Sequence, residues 1–243
     1  MTEQFARKME EGVKTLGLQL SEKQLEQFYD YFQFLVEKNK VMNLTGITEY
    51  EEVIQKHFLD SLSLIRVIPD IASQELTVID LGTGAGFPGL PLKIAFPELE
   101  ITLMDSLNKR ILFLQEVINA LDLKKVSAVH GRAEEMASNA AHRQQYDLCV
   151  SRAVSNLAVL TEYCLPFVKK GGLFVSYKSA DSDAEIQEGK KAISILGGKL
   201  TSVDKFQLPD SDLGRALVCI KKTKDTPKKY PRKAGTPAKL PLK

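Results

Sequence analysis

The stretch Val78–Pro91, VIDLGTGAGFPGLP, decides the fold. It closes a short apolar run that begins at Leu76, carries one acid, Asp80, and then places glycine at every second position: Gly82, Gly84 and Gly86. An apolar strand that runs straight into a glycine-rich turn is the opening of a βαβ unit. In a doubly wound sheet that first turn lies where the strand order reverses, and backbone without Cβ atoms there lets a ligand approach closely.

Outward from this loop the same alternation repeats. Strand-like runs LTVIDL, EITLMD, VSAVHG, YDLCVSR, GGLFVSYK, KLTSVDKFQL and ALVCIKK alternate with helical stretches PGLPLKIAF, LNKRILFLQEVINALDL, SNLAVLTEYCLPFV and DAEIQEGKKAISIL. Such alternation predicts an α/β fold, a Rossmann-like, seven-stranded and mainly parallel sheet. The last two strands are joined by PDSDLGR with no helix, which predicts a terminal antiparallel hairpin at the sheet edge.

Before residue 72 the pattern is helical. Ser21 and Gln24 have capping-box spacing, and Leu25, Phe28, Tyr29, Phe32, Leu35 and Val36 line one helix face. Thr48 and Glu51 repeat the cap signal ahead of EVIQKHFLDSLSLIRVI, which ends at Pro69. The expected organisation is an N-terminal helical extension over 1–72, a Rossmann-like core over 73–222 and a basic Lys/Pro-rich tail over 223–243.

The net charge of +2 conceals an asymmetry. Residues 221–243 hold nine Lys or Arg against one acid, Asp225, whereas the first 220 residues hold 24 bases against 30 acids. A basic tail on an acidic body suits a polyanion, through counterion release, or simply a solvated end. Cys149, Cys164 and Cys219 sit in apolar segments without C-x-x-C spacing, which predicts buried thiols, no metal site and a reducing compartment. No stretch has the length of apolar sequence needed to span a membrane, and the amino terminus lacks the apolar core of a signal peptide, so the expectation is a cytoplasmic protein.

The loop narrows the ligand. A dinucleotide fingerprint needs G-x-G-x-x-G, and here Phe87 stands in place of the third glycine. Asp80 beside the loop would repel a diphosphate but would suit an ammonium group. Asp105, about twenty residues on at the end of the second strand, suits a ribose diol, and Glu134, after the third strand, suits an adenine amino group. Acid, acid and polar group after successive strands describe S-adenosylmethionine. Plainer readings stand beside these: Asp105 as a charge favoured by a helix N-terminus, Glu134 as a surface acid, Phe87 as core or as an aromatic face for a sulfonium. A nicotinamide-dependent oxidoreductase is the competing reading of the loop.

Cys149 lies in a strand without a Pro-Cys motif, which argues against methylation at a pyrimidine carbon. The fourth strand ends in VSRAVSNL, without the Asp/Asn-Pro-Pro-aromatic motif of exocyclic amine methylation. A ring nitrogen such as N7 of guanine presents its own lone pair, so alignment suffices and no catalytic base or nucleophile is expected. Arg152, at the end of that strand, is a candidate for the cofactor, a base edge or a phosphate.

MNLTGI (42–47), KHFLDSL (56–62), VIDLGTGAGFPGLPL (78–92), GRAEE (131–135), SRAV (151–154) and the terminal YPRKAGTPAKLPL together resemble the bacterial 16S rRNA guanine-N7 methyltransferases, the glucose-inhibited division protein B or ribosomal RNA small subunit methyltransferase G family. The resemblance spans nearly the whole chain. It implies a class I S-adenosylmethionine-dependent methyltransferase that modifies N7 of one guanine (guanine 527) in 16S rRNA of the small ribosomal subunit or its assembly intermediate; a monomer is the expected state, which the resemblance itself leaves open. It also implies cofactor contacts at Gly82, Phe87, Ala133, Glu134 and Arg152, with Asp105 as the ribose acid and Asp80 and Gly84 in the loop. His57, Asp60, Lys178, Arg232 and Lys233 are candidates on the RNA side.

Overall fold

The computed structural model describes residues 1–152 and 155–242. Ala153 and Val154 of the SRAV motif, and Lys243, lie outside the described residues.

Seven strands form one sheet in the order β3-β2-β1-β4-β5-β7-β6: β1 Thr77–Leu81, β2 Glu100–Asp105, β3 Val126–His130, β4 Tyr146–Ser151, β5 Val168–Ser179, β6 Gly198–Gln207 and β7 Gly214–Lys222. The first five run parallel, while β7 pairs antiparallel with both β5 and β6. The expected hairpin is therefore present, and it inserts its second strand against β5. Order reverses between β1 and β4, which places the Gly82–Gly86 loop at the switch point.

β1 shows why this sheet must be covered on both sides. Val78 points into a cluster shared with the N-terminal helices, and Ile79 and Leu81 point into the cluster on the opposite face, all at 5% exposure or less. Strands buried on both faces read as continuous apolar runs, as this one does.

The N-terminal helices α1 (Glu3–Thr15) and α2 (Glu22–Met42) form part of the first cluster. Ser21 and Gln24 make the expected capping box, and the Gln24 amide then donates to the carbonyls of Ile94 (2.8 Å) and Ala95 (3.1 Å) at the end of α5 (Gly89–Ala95). One helical turn on, Gln27 donates to Leu121 O, at the end of α6 (Asn108–Ala120), at 2.8 Å. Last-turn carbonyls have no partner within their own helix, so α2 supplies partners for two of the helices it lies across. Its buried residues are Leu25, Phe28, Tyr31 and Leu35; Tyr29, Phe32 and Val36 are half-buried, and Tyr31 replaces them at the centre.

Thr48 does not cap the next helix. α3 (Tyr50–Val53) starts after Glu49 with no side-chain cap, its first turn instead carrying Glu51 and Glu52, which the helix dipole favours. The chain continues through a π-helical turn, Ile54–Leu59, into α4 (Asp60–Leu62) and a 3-10 turn, Ser63–Arg66. Isolated π turns recur at functional sites, and this one carries Lys56 and His57.

The basic tail is not a free arm. After a buried Lys222, Thr226 and Tyr230 are buried, Arg143 donates to the carbonyls of Thr226 (2.9 Å) and Tyr230 (3.0 Å), and the short helix α10 (Thr236–Lys239) follows. The Lys/Pro-rich composition suggested solvation, but buried side chains and guanidinium bonds to the backbone hold the segment on the core. Within the core, α7 (Ala133–Met136) follows β3, α8 (Leu157–Cys164) follows β4 and α9 (Asp183–Ile195) follows β5. All three cysteines are buried free thiols. No helix among the described residues is long and apolar enough to cross a membrane.

Candidate active site

Two clefts open at the carboxyl ends of the strands. The first, about 460 Å³, is lined by the ends of β1 to β3 (Leu81, Gly82, Met104, Asp105), by Gly131 to Glu134, by Leu160 and Tyr163 of α8, and by Gly235 and Ala238 of the tail. The second, about 490 Å³, is lined by Lys56, His57 and Asp60, and by Arg152, Tyr177, Lys178, Glu185 and Arg215.

Asp105 organises the first cleft. It is 3% exposed; Oδ1 accepts from Leu107 N at 2.9 Å, and Oδ2 accepts from Gly84 N at 3.0 Å and from the Arg110 guanidinium at 3.1 Å. A carboxylate has room for about four such bonds, so one position stays open and the half-exposed Arg110 is the partner most easily exchanged for a diol. Gly82 and Gly84 hold φ values of +73° and +61°, and a Cβ on Gly84 would meet open space, so the left-handed backbone is what demands glycine there. Glu134 enters from α7, with Oε1 accepting from Gly235 N at 2.9 Å. The cleft sets two acids, Asp105 and Glu134, beside Gly82 and Ala133, a set of groups that could hold the hydroxyls and amino group of an adenosine.

Asp80 is placed differently from its expected role. It is fully buried beneath the loop, and its Oδ2 accepts from Thr83 Oγ1 (2.6 Å) and Gly89 N (2.8 Å), bracing the turn from inside. Burial pushes its pKa up to about 7 against those two bonds, and Oδ1 has no partner among the described residues. A carboxylate at a buried strand end must find donors, and the loop supplies them before any ligand does.

Phe87 is 6% exposed and packs between α2 and the π turn, stacked on His57 (4.4 Å between centroids) and close to Tyr31 (5.4 Å). The cation over its face is Arg152, 5.0 Å from the centroid. Neither Phe87 nor Arg152 lines the first cleft; Arg152 lines the second, and Phe87 is buried against its residue His57.

Arg152 is fixed from three sides. It donates to Lys56 O at 2.7 Å, to Asp60 Oδ2 at 2.9 Å and to His57 Nδ1 at 3.1 Å. His57 Nδ1 lies 3.1 Å from the Arg152 guanidinium and 3.1 Å from Lys56 O, and Nε2 lies 2.9 Å from Thr45 Oγ1, so Nδ1 accepts from the arginine in one tautomer and donates to the carbonyl in the other. Burial, with Arg152 beside it, lowers the His57 pKa to about 3, so the ring is neutral. Asp60 Oδ1 accepts from Arg215 at 3.1 Å. Lys178 pairs with Glu185 at 2.6 Å and donates to Ser155 O at 2.6 Å. Cys149 is buried, and burial holds its thiol far above the range of a nucleophile.

Of the expected residues, the first cleft thus brings together Gly82, Asp105, Ala133 and Glu134, with Gly84 behind them. The second brings together His57, Asp60, Arg152 and Lys178. Arg232 lies apart from the second cleft, ion-paired with Glu162 at 2.6 Å, and Lys233 is exposed on the tail. Sequence reasoning missed Tyr31, Arg110 and Arg215. Of these only Arg215 left a signal, as a lone charge opening an otherwise apolar strand.

A sheet in this order, with its antiparallel seventh strand between the fifth and sixth and an acid-lined cleft over the first three strand ends, defines a class I S-adenosylmethionine-dependent methyltransferase. Solved structures of similar fold include a mutant of MtNAS (TM-score 0.54, 12% identity, 83% of this chain and 76% of that chain) and M. jannaschii TYW2 in complex with AdoMet (0.52, 13%, 67% and 76%). The family model for rRNA small subunit methyltransferase G matches residues 24–214. The chain is 58% identical to the ribosomal RNA small subunit methyltransferase G of Lachnoclostridium phytofermentans, over 96% of this chain and 95% of that protein. It is 52% identical to that of Alkaliphilus metalliredigens, over 97% and 98%. The chain belongs to the rRNA small subunit methyltransferase G family.

Proposed function

We propose that this methyltransferase modifies N7 of a single guanine, guanine 527, in 16S rRNA, and that the ring nitrogen attacks directly with no protein base. The observation that carries the reading is the presence of an acid-lined cleft and a cleft bearing Lys56, Arg152, Lys178 and Arg215 over adjacent strand ends. When bound, S-adenosylmethionine supplies a methyl group on a sulfonium, which a ring-nitrogen lone pair takes without loss of a proton, leaving a neutral thioether.

The chain's own residues have positioning to do. Asp105 and Glu134 would hold the adenosine end, and the Gly82–Gly84 backbone would let the donor come close to the strand ends. Arg152, with one guanidinium edge committed to Asp60 and His57, presents planar donors to a base edge or phosphate. The neutral, doubly engaged His57 keeps that guanidinium in place and removes no proton. Alignment of this kind is worth effective concentrations on the order of 10⁵ M or more, enough for a nucleophile that needs no activation.

On this reading residues 1–72 buttress the glycine loop, 73–222 carry the chemistry, and the enzyme acts as a cytoplasmic monomer on the small subunit or its assembly intermediate, where the target base is unstacked and exposed. Nucleoside analysis of 16S rRNA from cells with and without this protein tests the reading: loss of one N7-methylguanosine is expected, and an unchanged level refutes it.

A further inference from the structure

We propose that the C-terminal segment 230–240 is part of the cofactor site, and that Arg232 and Glu162 are the positioning pair that holds it there. The inference rests on the first cleft being the S-adenosylmethionine site.

Glu162 sits in α8 with 0% exposure, a carboxylate that must be paired to remain charged. All of its bonds found among the described residues come from the tail: Arg232 N at 2.8 Å and Nε at 2.9 Å to Oε1, and Nε at 3.2 Å and Nη2 at 2.6 Å to Oε2. A side-on guanidinium bond reinforced by the backbone N–H of the same residue fixes both position and direction of the chain. Three residues later Gly235, at φ +78°, turns the chain so that its N–H meets Glu134 Oε1 at 2.9 Å. Gly235 and Ala238 then line the cleft together with Ala133, Leu160 and Tyr163.

Two consequences follow. Part of the cleft lining comes from the tail, so release of the tail would leave that part of the site open to water. Glu134 also has one oxygen committed to the tail, which sets the direction in which its second oxygen reaches the ligand. A basic segment thereby acts on the cofactor through a buried ion pair, separately from any attraction of its exposed lysines for phosphate.

The test uses the full chain. Glu162→Gln/Arg232→Gln removes both charges together, so that neither is left buried alone; Arg232→Lys keeps the charge; and Lys224→Gln/Lys228→Gln, outside the segment, changes exposed charge only. S-adenosylmethionine affinity is measured by calorimetry, and amide exchange over 230–240 with and without the ligand. Expected is ligand-dependent protection of 232–240 in the wild type, a Kd at least tenfold weaker in the double variant with an unchanged melting temperature of the body, partial recovery in Arg232→Lys, and wild-type affinity in the lysine variant. Wild-type affinity in a double variant whose tail exchanges freely would overturn the inference. So would a weakening confined to the lysine variant. Absence of binding by the wild-type chain would instead overturn the cofactor reading on which it rests.

Discussion

Asp105 Oδ2 accepts the Gly84 N–H at 3.0 Å, so the acid at the end of β2 fixes the glycine loop that follows β1. The same carboxylate has one acceptor position open towards the first cleft. Asp105→Ala removes the ligand contact and the loop brace together, and Asp105→Asn keeps one acceptor. Hydrogen bonds to a charged group contribute about 1.5–3 kcal/mol each, so cofactor affinity is expected to fall about 100-fold in the alanine variant and about 10-fold in the asparagine variant. Equilibrium binding of S-adenosylmethionine checks this; equal affinities for wild type and Asp105→Ala would place the ribose elsewhere.

Tyr31 reaches the same loop from the other side, its hydroxyl donating to Ala85 O at 2.5 Å from full burial. Tyr31→Phe keeps the ring among Phe58 and Phe87 and leaves the Ala85 carbonyl without that donor. The expected cost is about 1–3 kcal/mol, a drop of roughly 2–10 °C in a chain of this size. Thermal melts read it directly, and a melting temperature identical to wild type would show that water satisfies the carbonyl.

The case of Tyr31 shows what was legible in the sequence and what was not. Period-2 and period-3.6 patterns report which face is apolar, so the sheet, its terminal hairpin and the capping box on α2 were readable in advance. They do not report a tyrosine buried to reach a carbonyl 54 residues away. Strand-end spacing likewise brought Gly82, Asp105 and Glu134 to one cleft, because successive β–α turns of a parallel sheet open on one edge, and the family resemblance added Ala133. Asp80 was misplaced because its side chain points under the turn, and spacing alone does not distinguish under from over. The attachment of the tail was not legible because its anchor is Glu162, which in TEYC looks like any acid on a helix surface.

Asp60 joins two cations, Arg152 and Arg215, with a side chain 3% exposed against 17% and 25% for the arginines. Removing one member of a buried ion pair leaves uncompensated charge, typically at about 3–5 kcal/mol. Asp60→Ala is expected to lose about 3 kcal/mol in urea unfolding and most methyl transfer, because Arg152 loses its orientation. Asp60→Asn should lose less of both. Stability unchanged in Asp60→Ala would mean the arginines are held by other groups.

His57 makes the stability of the enzyme depend on acid. Its folded pKa, about 3, lies below the ordinary 6.5, so the unfolded chain takes up a proton that the folded chain refuses. The contribution is complete above pH 6.5 and is lost as pH falls from 6.5 towards 3, by a few kcal/mol at most. His57→Gln should flatten that part of the stability curve. Because the ring stays neutral throughout, the rate of methyl transfer should show no inflection from His57 between about pH 6 and 8; an inflection abolished by His57→Gln would make it an acid–base participant after all.

The central claim is direct transfer to one guanine N7. The purified chain, labelled S-adenosylmethionine and small subunits lacking the modification should yield one N7-methylguanosine per 16S rRNA, mapped to guanine 527 by mass spectrometry of nuclease fragments. Label at another atom or another nucleotide, or no label in the rRNA, would contradict it.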